Sequence, residues 1–450
     1  MTRFLAALPL LALVACGSAA NDSADAGAGT ASDASTTTTS STGATFPDPD
    51  GPNGTRAQLF TDDSGTSHVL YTGLTGTDDA VAPVRYGQCK AACHRASSWR
   101  FVTLGEAGLF GGSARLAVSP AGAAHVVWTY GESLSSGTTL RYAACASGCA
   151  DSASWHARDI ASDSSALALE SPPGRPIALD STGLAHLVFN NATSGLAYAF
   201  CSSDCATTGA WTFIQLTSAA ATAAALVVQS GKTYLLYASS ENDALVYRTC
   251  AADCSADPSA WTPDEPLLAG VPPIDLRLTK SSHPRIVYNQ GSAATEADYK
   301  PIYAICDGAS CLDAGAWSAV ILGEAFDGNE GLSLALRPDD RPIIAYNRSS
   351  GSALAVAACQ TACDDLATAT WSEANADSPE QLQILTPAVL PACSGSLQPK
   401  AFWYPADHVS LVATATQVSA VYDAYILQQC GMGTVSEALR LIRFNTWPLP

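Results

Sequence analysis

The chain has 450 residues, 41 acidic and 22 basic, and carries a formal net charge of -19 although only 14% of its residues are charged. So acidic a surface repels nucleic acid and anionic membrane faces, which argues against either as a partner held by charge. Low charge with abundant Ala, Gly, Ser and Thr fits an exported β protein with small side chains in tight turns, and nothing after residue 16 is apolar for the roughly 20 residues a spanning helix needs.

The first element is a leader. Arg3 supplies a positive charge, Phe4 to Ala15 is an uncharged apolar run, and Leu13-Val14-Ala15-Cys16 closes it, as in a secretory signal too short to span as a helix. Leu-Val-Ala-Cys resembles the lipobox of bacterial lipoproteins. The resemblance implies a signal peptide over 1–15, cleavage before Cys16, and lipid attachment at that cysteine. Gly17 and Ser18 follow it, with no aspartate to hold the protein at the inner membrane, so the resemblance implies an outer-membrane lipoprotein whose body faces the periplasm or the cell exterior. Its lipid is the expected membrane contact. Residues 16–55 are rich in Ser, Thr, Ala and Gly and poor in large apolar side chains, a composition that predicts a disordered tether about 35 Å in root-mean-square length. Asp48 to Gly54 faintly suggests a calcium loop, but Asn53 and Leu59 stand where an EF-hand needs glycine and glutamate, and linker is preferred.

A repeat then takes over. Two cysteines with three or four residues between them follow a strand-like run six times, each pair followed by a tryptophan: Cys89, Cys93, Trp99; Cys145, Cys149, Trp155; Cys201, Cys205, Trp211; Cys250, Cys254, Trp261; Cys306, Cys311, Trp317; and Cys359, Cys363, Trp371. The first cysteines recur every 49 to 56 residues, the mark of one supersecondary unit stacked many times. In the second copy Ala114 to Val118 is an apolar run, Ser119-Pro-Ala-Gly122 a turn, His125 to Tyr130 a β-rich run, Leu140 to Cys145 another, and Trp155 to Ile160 the last. Four short strands per unit predict a blade of a β-propeller.

The fold class expected is therefore all-β: a seven-bladed β-propeller of four-stranded blades over 56–446, with blades near 56–105, 111–161, 165–217, 222–269, 273–323, 331–385 and 397–446. Blade 1 is predicted from Ala57 to Phe60, His68 to Tyr71, Val84 to Cys89 and Trp99 to Leu104. The last blade is predicted as four strands of its own, Lys400 to Tyr404, Val409 to Thr416, Val421 to Cys430 and Ala438 to Phe444. On that reading the chain ends exchange no strand.

Setting Cys16 aside leaves fourteen cysteines. In an exported chain they imply seven disulfides, six local and one joining Cys393 to Cys430. Cys-x3-Cys could instead supply half a zinc site, but each pair is about fifty residues from the next and has no matching histidine. Neither a metal nor a cofactor is expected. The repeated tryptophans are expected to pack on the neighbouring blade or the disulfide. His68, His125 and His186 share one repeat position, where later copies are aligned to Tyr234, Arg285 and Pro342, so no closed ring of ligands forms and a turn-capping role is expected.

Asp62-Asp-Ser-Gly65 and Asp180-x-x-Gly183 before the second strands resemble motifs of sialidase-like propellers, including repeat lipoproteins. The resemblance is one of architecture over 56–446 and is loose in sequence: the place of the Asp-box between third and fourth strands is taken by the cysteine loop. A sialidase-like hydrolase would need an arginine trio and a tyrosine–glutamate pair. Arg115, Arg175, Arg277 and Arg337 lie on or beside inner strands without sharing one repeat position, and acids such as Glu324, Asp327 and Glu330 cannot be paired from sequence. No nucleophile elbow, zinc-helix motif, phosphate loop or dinucleotide fingerprint is present. The expectation is a monomeric, non-catalytic scaffold binding a protein or glycan ligand on one propeller face. A carbohydrate-binding propeller is the alternative and a glycoside hydrolase a third reading.

Overall fold

In a computed structural model the described residues are 44–45, 54–73, 82–107, 114–130, 138–164, 174–191, 195–291, 299–308, 310–323, 331–348, 353–377, 399–430 and 435–448. They form seven antiparallel four-stranded sheets, the blades of a propeller. Six blades take four strands in sequence order from axis to rim, with inner strands Gly54–Thr61, Arg115–Val118, Ile177–Leu179, Ala221–Gln229, Val271–Leu278 and Leu332–Leu336. Cys16, Cys393 and the acids Glu324, Asp327 and Glu330 lie outside the described residues, as does the side chain of Cys430.

Burial follows from this radial order. A second or third strand has a blade against each face, so both sets of alternate side chains are covered. Ser67–Gly73 and Ala244–Cys250 are buried throughout, whereas the rim strand Trp211–Gln215 is largely exposed. Successive residues serve different cores: Tyr142 packs toward blade 3 and Ala143 toward blade 1, the period-two alternation of a strand. Where blades converge on the axis there is room only for small side chains. Blade 4 meets that demand with Ala223, Ala224 and Ala225, all fully buried.

The six short cysteine pairs are disulfides, with Cα–Cα separations of 5.6 to 5.9 Å. Each bridge pins the loop between third and fourth strands, and this fixes the tryptophan that follows. Indole Nε1 donates to the carbonyl of the second cysteine in five blades, as from Trp155 to Cys149 at 2.9 Å. The ring then meets a third-strand tyrosine of the preceding blade edge-on, Trp155 on Tyr86 at 4.8 Å and Trp211 on Tyr142 at 5.0 Å. Trp99 completes the pattern by packing on Phe444 of the last blade. The tryptophans are thus blade-to-blade rivets.

The closing blade corrects the sequence reading. It draws three long strands from the C-terminal region, Pro399–Ala413, Gln417–Cys430 and Val435–Pro448, and its outermost strand is Ala44–Thr45, paired with Arg443 and Phe444. The chain ends therefore do share a sheet. The two predicted runs Lys400 to Tyr404 and Val409 to Thr416 are one strand, because the polar stretch between them is not a turn. It is an irregularity in a continuous ladder, with shifts of register between Pro405 and Ser410 and a positive φ of 55° at His408. The repeat alignment at the second strand also shifts: the equivalent of His68 in blade 6 is Ile343, which faces the residue before Cys359 just as His68 faces the residue before Cys89.

Candidate functional site at the propeller axis

Each inner strand has one edge without a strand partner, facing the axis, and its backbone N–H groups need acceptors. The residue immediately before a recurring apolar position supplies them to the next blade. Leu116 N donates to Gln58 Oε1 at 2.7 Å, Leu334 N to Asp275 Oδ2 at 3.1 Å, Leu411 N to Ser333 Oγ at 3.1 Å and Leu59 N to Ser410 Oγ at 3.1 Å. These links run in one rotational sense around the ring. Between blades 3 and 4 the acceptor is a backbone carbonyl, that of Arg175, which takes Leu226 N at 2.8 Å.

Two arginines occupy the space inside this ring. Arg175 reaches across the axis: Nη2 donates to Leu411 O at 3.3 Å, the guanidinium lies 4.6 Å from the centre of the Phe60 ring, and Nε is 3.7 Å from Asp275 Oδ1. Arg277 Nη1 donates to the same carboxylate oxygen at 2.8 Å and to Leu276 O at 3.0 Å. Its Nη2 is buried and has no hydrogen-bond partner among the described residues. Asp275 is fully buried and also accepts Leu276 N at 2.9 Å. Two guanidinium groups thus share one carboxylate already occupied by backbone donors, leaving a local excess of positive charge inside an acidic protein. Burial, reinforced by the charge of Arg277, pulls the Arg175 pKa down to about 9, and burial lowers that of Arg277. The side chains remain reachable, Arg175 at 10% and Arg277 at 19% exposure.

Of the four arginines noted in the sequence, only these two are brought together. Arg115 is buried and held to about 9 by desolvation, with Arg56 as the neighbouring charge. Arg337 pairs at 3.5 Å with Asp339 in the turn of blade 6. Asp275 was missed by sequence reasoning. It has a signal nonetheless, since Gln58-Leu59, Arg115-Leu116, Asp275-Leu276, Ser333-Leu334 and Ser410-Leu411 all place a polar residue before the inner-strand leucine.

A second polar cluster lies at the seam of blades 7 and 1. Asp423, fully buried, accepts Thr55 Oγ1 at 2.7 Å and Arg56 N at 3.1 Å, and it stands 2.7 Å from His408 Nδ1. A hydroxyl, an imidazole and a carboxylate meet here, but not as a nucleophile relay. The hydroxyl donates straight to the carboxylate, and Thr55 and Asp423 share the same imidazole nitrogen, whereas a relay needs one ring nitrogen for each. The cluster joins blades.

His68 and His186 lie where the turn reading put them. Tyr86 and Tyr198 lie 2.6 Å from their Nδ1 atoms. Burial pushes the pKa of both phenols up, so the phenols donate and Nε2 carries the hydrogen. That nitrogen faces Asp62 Oδ2 at 3.2 Å in one blade and Asp180 Oδ2 at 3.7 Å in the other. The two aspartates also cap their own turns, Asp62 accepting Ser64 N and Thr66 N and Asp180 accepting Thr182 N and Leu184 N. Among the described residues no group of three or more His, Cys, Asp or Glu could hold a metal ion, and no helix is long and apolar enough to cross a membrane.

No family model and no curated protein matches the chain. Solved structures similar to it include an alpha-L-arabinofuranosidase of Fusarium graminearum in complex with arabinobiose, 11% identical over 91% of this chain and 98% of that one with a TM-score of 0.47. A protein of unknown function from Dyadobacter fermentans is 10% identical over 90% and 97%, with a TM-score of 0.43. A Hadza microbial sialidase is 15% identical over 66% of this chain with a TM-score of 0.43, and the chain spans 64% of its length. Likeness at this level is too slight to carry an activity from one chain to another.

Proposed function

We propose that the protein is a lipid-anchored, non-catalytic binding propeller that takes an anionic ligand, such as the carboxylate of an acidic glycan, at its axis. The observation that carries this reading is the buried Nη2 of Arg277, left without a hydrogen-bond partner beside a second arginine and a single shared carboxylate. A buried donor without an acceptor costs about 1–3 kcal/mol, and an anion bound there would recover it. Catalysis by two carboxylates is a poorer fit, because Asp275 is fully engaged by Leu276 N, Leu334 N and Arg277. The lipid at Cys16 and the tether behind it would hold this binding body off the outer membrane.

Isothermal titration of the full chain with glucuronate and N-acetylneuraminate, against the matching neutral sugars, tests the reading. Binding of the acids should exceed that of the neutral sugars, weaken with salt and fall about tenfold or more in Arg277→Gln, as expected for one charge-assisted hydrogen bond. Acid binding that survives Arg277→Gln, or release of sugar from a glycoside, would overturn it.

A further inference from the structure

Two departures from the pattern of the first three blades face one another across one seam, and a cavity lies between them. In blades 1 to 3 the first residue of the second-strand core is histidine, bonded to the third-strand tyrosine. In blade 4 that residue is Tyr234, opposite Thr249 and diagonal to the third-strand Tyr247. In blade 5 the disulfide loop is longer, Cys306 to Cys311 with a sequence separation of 5 where every other short pair has 4. The rivets of the later seams stand further back: Trp317 is 5.7 Å from Tyr247 and Trp371 5.6 Å from Tyr303, against 4.8 to 5.1 Å at the three preceding seams. A groove of about 460 Å³ lies between blades 4 and 5, on the side of the disulfide loops.

We infer that this groove is a binding site for a neutral sugar residue at the end of a glycan, separate from the axial site. Its volume is that of a small-ligand pocket. A protein partner would need about 800 Å² of surface on each side, more than such a groove offers. The lining is rich in hydroxyl groups, from Tyr234, Tyr247, Thr249, Thr262 and Ser282. A hydroxyl both donates and accepts, and so does each hydroxyl of a sugar. One rim carries Leu312, an exposed apolar side chain at 42%, suited to the C–H face of a pyranose ring. On the same blade His283 is 41% exposed and oriented by Asp307, 3.0 Å from its Nδ1, while Arg285 holds that carboxylate from behind at 2.8 Å. With Nδ1 so occupied, Nε2 is the nitrogen left for a ligand. Lys232, whose ammonium lies 5.0 Å from the centre of the Tyr234 ring, is a further polar group at the rim. The contact holds the ammonium in place and leaves its N–H donors for ligand hydroxyls.

A glycan array of neutral and acidic glycans, probed with the full chain and followed by titration of the best neutral hit, tests the inference. The wild type should bind a subset of neutral glycans sharing one terminal residue. Binding should fall about tenfold or more in His283→Ala and in Leu312→Glu, both at exposed positions and so tolerated by the fold, with melting temperatures near wild type. Arg277→Gln should leave this binding unchanged, which separates the groove from the axis. The inference is wrong if no neutral glycan binds, or if neutral-glycan binding survives both groove variants.

Discussion

At the scale of single residues, the inner-turn histidines are one source of the protein's response to acid. His125 differs from His68 and His186 because its turn, Ser119-Pro-Ala-Gly122, offers no carboxylate, so burial alone sets its pKa, at about 4 against an ordinary 6.5. The unfolded chain therefore takes up the proton first, and stability is whole above about pH 6.5 and lost as the pH falls toward 4. Burial lowers His68 and His186 too, and there Asp62 and Asp180 partly offset it. The two aspartates are themselves held below the usual carboxylate range, because hydrogen bonds from their turns outweigh the cost of burial. Denaturant unfolding at pH 7.5 and 4.5 should show His125→Gln losing about 2 kcal/mol less than wild type over that interval. Identical pH dependence in the two proteins would mean that His125 is not buried as a neutral base.

At the scale of elements, the unit that matters is the disulfide loop with its tryptophan. Several of these loops close in one turn of 3-10 helix just before the indole, as at Ser152–Ser154, where Asp151 Oδ1 accepts Ala153 N at 3.0 Å. Replacing Cys145 and Cys149 together by serine removes the pin that presents the Cys149 carbonyl to Trp155. Closing so short a loop contributes about 2 kcal/mol on the chain-entropy account. The variant should exchange amide hydrogens faster along His156–Ser164 while distant blades keep their protection, since the disulfide loops at the rim touch only neighbouring blades. Loss of protection throughout the ring would show that the pin is global. This element was legible in the sequence because cysteine spacing and a trailing tryptophan survive in every copy. The closing blade was less so, because it lacks the cysteine pair and because a bulge at Pro405 to Ser410 reads in sequence like a turn. The axial site was legible only in outline. Arginines on inner strands can be seen, but which of them meet depends on the direction each strand edge presents to the axis, and a one-residue difference moves a side chain to the other face.

For the whole molecule the question is which contacts close the ring. Ala44–Thr45 adds just two residues of pairing to the rim of blade 7, far from the axis, and cannot by itself hold the ends together. The seam between blades 7 and 1 has more substantial ties. Val421, Ile442 and Phe444 pack with Ala57, Leu59, Val69 and Tyr71, and Asp423 draws Thr55 and the backbone of Arg56 onto blade 7. Across the other face of blade 7, Asp377 receives Arg443 Nε at 3.1 Å with both side chains fully buried, and Tyr422 donates to the same carboxylate. Removing one partner from such a buried cluster costs about 3 kcal/mol or more, because the others are left unpaired out of water. Deleting the segment before residue 50 should therefore lower the melting temperature only slightly, whereas Asp423→Ala should lower it substantially while leaving the blades folded. Truncation after Asp377 removes blade 7 altogether and bares the apolar faces of blades 1 and 6, so that product should bind a hydrophobic dye and self-associate. Were the deletion before residue 50 instead to destabilise the ring as much as Asp423→Ala, closure would rest on the exchanged strand, and the polar seam at Asp423 would be a consequence of closure rather than its cause.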